Sequence, residues 1–197
     1  TSDEISQAIQ TYAESAIPGV DVSGLNISYN TFTSLEILDW GYEGIYINPS
    51  SGLGIVTIQD NEFSGNIVRA ITSERSKTTI IDNTILTDYI SSDLTTAGSY
   101  QGINVRTGTA QGDVTINNNV VGGSSSGKGF YQGIRIGNTG QSLTNFIVTG
   151  NTIQYNNNGI LVKSASGVSV NQNKIAGNSV GIQNDDAVTL DATQNWW

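Results

Sequence analysis

Any chemistry in this chain has to do without imidazole and thiol groups, because the sequence contains neither His nor Cys. Their absence removes histidine-based triads, thiolate nucleophiles, disulfides and the usual zinc ligand sets together. Arg106, Arg135, Asn104 and Lys163 each follow the Gly of a Gly-Ile run by two or four residues. An arginine or lysine so placed beside an acidic sugar would take the proton α to its carboxylate, with Ca²⁺ or another cation neutralising the acid. Hydrolysis would instead need two carboxylates facing each other across a sugar, for which Asp88 and Asp93 are the candidate pair. Asp185 and Asp186 are a poorer pair, since neighbours on a strand point to opposite faces.

Binding without chemistry is the other possibility these residues raise. Trp40, Tyr42, Tyr46, Tyr89, Tyr100 and Tyr131 present flat apolar faces with polar tips, the shape that stacks on a sugar ring. Interspersed acids at Glu36, Asp39, Glu43, Asp88 and Asp93 would bond hydroxyls or hold Ca²⁺. Taken singly, each acid is explained as solvated surface charge and each aromatic as packing of its own loop. Their grouping is what carries the functional reading.

The elements that position these side chains follow from a repeat. Asn residues preceding x-Ile, x-Val or x-Phe occur at 30, 61, 83, 119, 151, 173 and, more loosely, 195, at intervals of 31, 22, 36, 32, 22 and 22. The unit is 22 residues, with insertions of 9, 14 and 10 in three intervals. Each unit carries three apolar-alternating pieces. The first is a Gly-Ile strand, as in Gly44-Ile45-Tyr46-Ile47 and Gly133-Ile134-Arg135-Ile136, with a weaker Ala70-Ile71-Thr72. The second ends at Ile27, Ile58, Ile80, Ile116, Val148 and Val170, and the third is centred on Phe32, Phe63, Ile85, Val121, Ile153 and Ile175. Three short strands per turn, each pairing with its equivalents about 4.8 Å above and below, predict a parallel β-helix. The Asn column would form a hydrogen-bonded ladder at the corners, and Asn tolerates the left-handed backbone of a sharp turn. That role is structural.

Residues 1–18 read differently. Ile5, Ala8, Ile9, Tyr12 and Ala16 recur at helical spacing after a capping box from Thr1 to Glu4, and Pro18-Gly19 stops the run. The expectation is a helix that caps the open first coil, with coils over 24–197 in a single domain.

The motifs Gly-Ile-x-Ile and Val-x-Ile-x-x-Asn-x-Ile resemble the right-handed parallel β-helix repeats of the pectate-lyase-like superfamily. The ending Asp191-Ala192-Thr193-Gln194-Asn195-Trp196-Trp197 is similar to the close of many bacterial surface repeat arrays. The resemblance spans roughly residues 24–197 and implies a right-handed all-β solenoid. It does not choose an activity, since the superfamily holds lyases, hydrolases, epimerases, carbohydrate-binding modules and adhesins.

Composition narrows the partners. The formal net charge is −9, and no Lys or Arg precedes Arg69. Nucleic-acid binding would need a clustered basic face, so it is set aside. The chain has no Met, no basic leader and no apolar run of membrane-spanning length, so it reads as a trimmed piece of a larger secreted or cell-surface protein, with further domains of the same chain as possible neighbours.

Measured from each repeat Asn, the next strand Gly comes 8 residues on at Gly159 and Gly181, 14 on at Gly44 and Gly133, and 19 on at Gly102. Most of each insertion therefore falls at one corner, where stacked loops form a rim. Beside that rim, two outward columns are expected. One runs Tyr46, Thr72, Asn104, Arg135, Leu161, Gln183, and the other Asn48, Glu74, Arg106, Gly137, Lys163, Asp185. The first expectation is an extended polysaccharide stacked on the aromatics, with Asn104, Arg106, Arg135 and Lys163 as polar contacts to groups such as a uronate carboxylate. A lyase or hydrolase of acidic glycans is the second, and a structural stalk or adhesin repeat the third.

Overall fold

The computed structural model describes residues 7–11, 24–33, 43–47, 55–74, 77–90, 100–106, 111–139, 142–164 and 166–197. They form nineteen strands in three parallel sheets, one of seven strands and two of six. Successive strands of the chain go to different sheets, and each sheet collects every third strand. This is the expected parallel β-helix.

Its register is the one the repeat predicts. Isoleucines line the first sheet in one unbroken row, Ile9–Ile45–Ile71–Ile103–Ile134–Ile160–Ile182. The second sheet stacks Ile27, Ile58, Ile80, Ile116, Val148 and Val170. The third stacks Phe32, Phe63, Ile85, Val121, Ile153 and Ile175. From Ile45 to Ile160 the first row has no exposed surface, so three walls of β-branched and aromatic side chains fill the bore.

Corners fix where each wall ends. Asn61, Asn83, Asn119, Asn151 and Asn173 are buried, and each rung's Nδ2 donates to the Oδ1 of the next at 2.9–3.1 Å, from Asn30 to Asn195. Each backbone N–H from Asn30 to Asn173 donates to the same Oδ1, so one carbonyl oxygen closes two bonds per coil. The left-handed residue of this corner is the one before the ladder Asn rather than the Asn itself: Tyr29, Asp60, Asp82, Asn118, Gly150, Gln172 and Gln194 all have φ between 53° and 68°. The Asn backbone is spared because its side chain, not its φ, makes the turn. Strand-opening glycines mark a second tight corner, where a Cβ on Gly102 would come 2.4 Å from Val121 Cγ1 and one on Gly44 2.7 Å from Phe63 Cε1.

The N-terminal helix is not what forms. Gln7–Thr11, the middle of the expected helix, is a strand that pairs in parallel with Glu43–Ile47 and places Ile9 opposite Ile45. Gln7, Ile9 and Thr11 satisfy a two-residue period as well as Ile5, Ile9 and Tyr12 satisfy a helical one. The template offered by Glu43–Ile47 decides between them, since pairing closes backbone bonds along the whole edge. Residues 1–6 and 12–18 lie outside the described part. Among the described residues no helix is long and apolar enough to cross a membrane.

Candidate functional site: the outer face of the first sheet

Both expected outward columns are present. Tyr46, Thr72, Asn104, Arg135, Leu161 and Gln183 stand on successive rungs of the first sheet. Glu74, Arg106, Gly137, Lys163 and Asp185 follow the strands in the second column, each bonded through its N–H to the coil before at 2.8–3.0 Å. Asn48 lies outside the described residues.

What the columns do with their charges differs from rung to rung. Glu74 Oε2 accepts from Tyr46 Oη at 3.0 Å and Oε1 from Arg106 Nε at 3.2 Å, so one carboxylate ties three coils together. Burial, then the bond and charge of Glu74, push the Tyr46 phenol up from 10.0 to about 12. Lys163 pairs with Asp185, whose carboxyl is held below its ordinary value by that bond and by Gln183. Arg135 takes part in no ion pair among those of the described residues; its Nη2 donates to the neutral Asn138 Oδ1 at 3.0 Å. Burial, followed by the nearby charges of Arg106 and Arg69, lowers its pKa. Three residues earlier in the same strands, Arg69 pairs with buried Glu43 at 3.1 Å, and Gln101 donates to Gln132 at 2.8 Å.

The raised Tyr46 pKa sets a pH dependence. Between the unfolded value near 10 and the folded value near 12, the native chain holds a proton that the unfolded chain has released, so stability falls as pH rises through that window and is unaffected below it. Ultraviolet absorbance should show a tyrosine ionising at about 12, and Glu74→Gln should bring that ionisation down.

The aromatic rim is partly assembled. Tyr89 and Tyr100 meet with ring centroids 5.2 Å apart at 58°. Tyr100 and Tyr131 occupy equivalent places one coil apart, just before the first-sheet strands, where Tyr100 O accepts from Gln132 N and Tyr131 O from Asn158 N. All three are half-buried. Phe130, next to Tyr131 in the same loop, turns into the core with 1% of its surface exposed, and the adjoining chain is pinned by Phe130 N donating to Asn156 Oδ1. Trp40 and Tyr42 lie outside the described residues, as do Glu36, Asp39 and Asp93. Asp88 is exposed and accepts a bond from the Ser124 hydroxyl. Asp185 and Asp186 follow the last strand of the sheet, and Asp185 is taken by Lys163. Among the described residues no group of three or more acidic side chains converges on a point that would hold a metal ion.

Sequence periodicity gave no sign that Thr72 and Asn104, at outward positions, are wholly buried. Nor did it single out the exposed rings of Tyr29, Trp196 and Trp197, which alternation alone leaves on the outside.

The model of the family described as "Right handed beta helix region" matches residues 15–196. The chain belongs to that right-handed β-helix family. The match covers all but the first strand of the solenoid and fixes the hand of its coiling. No curated protein and no solved structure matches the chain.

Proposed function

We propose that this right-handed β-helix is a polysaccharide-binding module of a secreted or cell-surface protein. In this reading an extended glycan lies along the stack, over the outer face of the first sheet and the corner beside it. The observation that carries the reading is the run of half-buried tyrosines Tyr89, Tyr100 and Tyr131, set on neighbouring coils along one edge of a face that also bears Tyr46, Arg106, Arg135 and Lys163. Such a surface offers flat rings at a repeating height beside hydrogen-bonding groups, which suits a ligand that is itself a repeat. Trp40 and Tyr42 extend the aromatic set by sequence position.

A glycan-array screen with Ca²⁺ and with a chelator tests it. Retention should fall about tenfold on Tyr100→Ala and on Tyr131→Ala, the loss of roughly 1–2 kcal/mol that truncating one aromatic anchor brings, with unchanged unfolding. Equal retention by both variants would remove the rim from the binding site, and loss of retention in the chelator would place Ca²⁺ in it.

One observation favours a second reading, a lyase acting on acidic glycans: of Arg69, Arg106, Arg135 and Lys163, Arg135 alone has no carboxylate partner among the described residues, which leaves it for an acidic substrate. Unsaturated product absorbing in the ultraviolet from polygalacturonate or alginate, abolished by Arg135→Lys, would establish it. Silence in both assays would leave a structural stalk.

A further inference from the structure

Among the 21 asparagines of the chain, Asn26 alone begins an Asn-x-Ser or Asn-x-Thr run whose middle residue is not Pro, Asn26-Ile27-Ser28. Such a run is what a transferase that attaches N-linked sugar reads, and it has to lie at the surface. The repeat itself keeps it rare. Two residues after each ladder Asn stands an apolar side chain, from Phe32 to Ile175 and then Trp197, so none of the seven qualifies. Asn48-Pro49-Ser50 has the serine but is barred by its central proline.

Asn26–Ser28 is the first strand of the second sheet, pairing in parallel with Val56–Gln59 and with no strand on its other side among the described residues. Alternation sends Ile27 into the core and puts Asn26 and Ser28 together on the outer face. Asn26 is exposed and Ser28 half-buried, and neither the amide nor the hydroxyl is engaged in a hydrogen bond among the described residues. An accessible amide and a hydroxyl two residues on, both on one face, are what an acceptor needs. This edge also lacks the usual protection. Open edges are blunted by charged side chains or proline, and Asn26, Ser28 and their neighbours Thr57 and Gln59 supply neither, while Tyr29 beside them is 78% exposed.

We infer that Asn26 is the acceptor of an N-linked glycan, which shields the open edge of the second sheet. The donor is an oligosaccharide carried on a lipid phosphate. The bond from Asn26 Nδ2 to the sugar C1 forms as the C1–O bond to phosphate breaks, the lipid phosphate leaves with the electron pair, and Nδ2 gives up one proton. The inference rests on the secreted or cell-surface location in the proposed function and not on what the module binds. Asn26 stands on a different wall from the face proposed for the polysaccharide.

To test it, the chain is passed through a eukaryotic secretory pathway behind an added signal, and its mass is read before and after peptide N-glycosidase. The mass is expected to exceed that of the bare chain by one oligosaccharide, which the enzyme removes while converting Asn26 to Asp. Asn26→Gln and Ser28→Ala should each abolish the addition with an unchanged unfolding temperature, and Ser28→Thr should keep it. In protein recovered from its own cells, the peptide spanning Asn26 should carry sugar. A bare mass, a sugar that survives Asn26→Gln, or a bare Asn26 peptide from the source cells would overturn the inference. Sedimentation reads the shielding: the modified chain should stay a single species as concentration rises while Asn26→Gln associates, and equal behaviour of the two would remove that role. Retention on the glycan array by a chain of bare mass would sink the acceptor and leave the module reading standing. A sugar on Asn26 with no polysaccharide retained would do the reverse.

Discussion

Asn119→Ala is expected to lower the free energy of unfolding by roughly 3–5 kcal/mol, a large share of what holds a domain of this size. Asn119 has no exposed surface and sits in the middle of the ladder. Its Nδ2 donates to Ile80 O and Asn117 O at 2.9 Å and to Asn151 Oδ1 at 3.0 Å, while its Oδ1 accepts from Asn83 N at 3.0 Å and Asn83 Nδ2 at 2.9 Å. Truncation leaves the Asn83 N–H buried and unmet and takes away an acceptor of Asn83 Nδ2, and those penalties outweigh the modest net value of each bond. Asn195→Ala is the control. Asn195 ends the ladder in a partly exposed corner where water can replace its bonds, so about 1 kcal/mol is expected there. Urea unfolding of both variants measures the difference, and equal losses would mean that the ladder draws no strength from burial.

Phe63→Ala should cost about 3–5 kcal/mol through the cavity it leaves. Phe63 has no exposed surface, stacks on Phe32 at 4.5 Å between centroids and 9° between planes, and fills the space against Gly44 Cα. Neighbouring coils are held at a fixed rise by the ladders of all three sheets, so the walls cannot collapse into the gap as a loop-supported core could. Phe63→Leu keeps most of the volume and should lose less than half as much. If the alanine variant unfolds within about 1 kcal/mol of the parent, the bore is not packed as described.

These two positions also show how far the sequence reaches. Asn119 and Phe63 are legible because they recur: an Asn every 22 residues or 22 plus an insertion, followed two residues later by an apolar side chain, states both the coil length and the face. The strand at Gln7–Thr11 was not legible, because five residues fit a helical and an alternating period equally and only the neighbouring edge at Glu43–Ile47 separates them. Phe130 and Tyr131 are adjacent aromatics of one inserted loop, yet Phe130 is buried in the core while Tyr131 stays half-buried on the rim, a difference no spacing along the chain announces. The corner's left-handed residue changes identity from coil to coil, Tyr29, Asp60, Asn118 and Gln172 among them, and so leaves no composition signal.

The amino-acid sequence by itself determined the coil, the three walls, the Asn ladder and which residues stand on the outer face of the first sheet. Each of these is a local pattern repeated, and stacking repeats can only add equivalent residues in register. Only the tertiary structure decided which outer-face groups are matched and which are not. Glu74 finds Tyr46 and Arg106 at separations of 28 and 32 residues, while Arg135 and Asn104 on the next column find no such partner. Those pairings depend on how side chains from different coils lean across the stack, and insertions of unequal length hide that geometry from any reading along the chain.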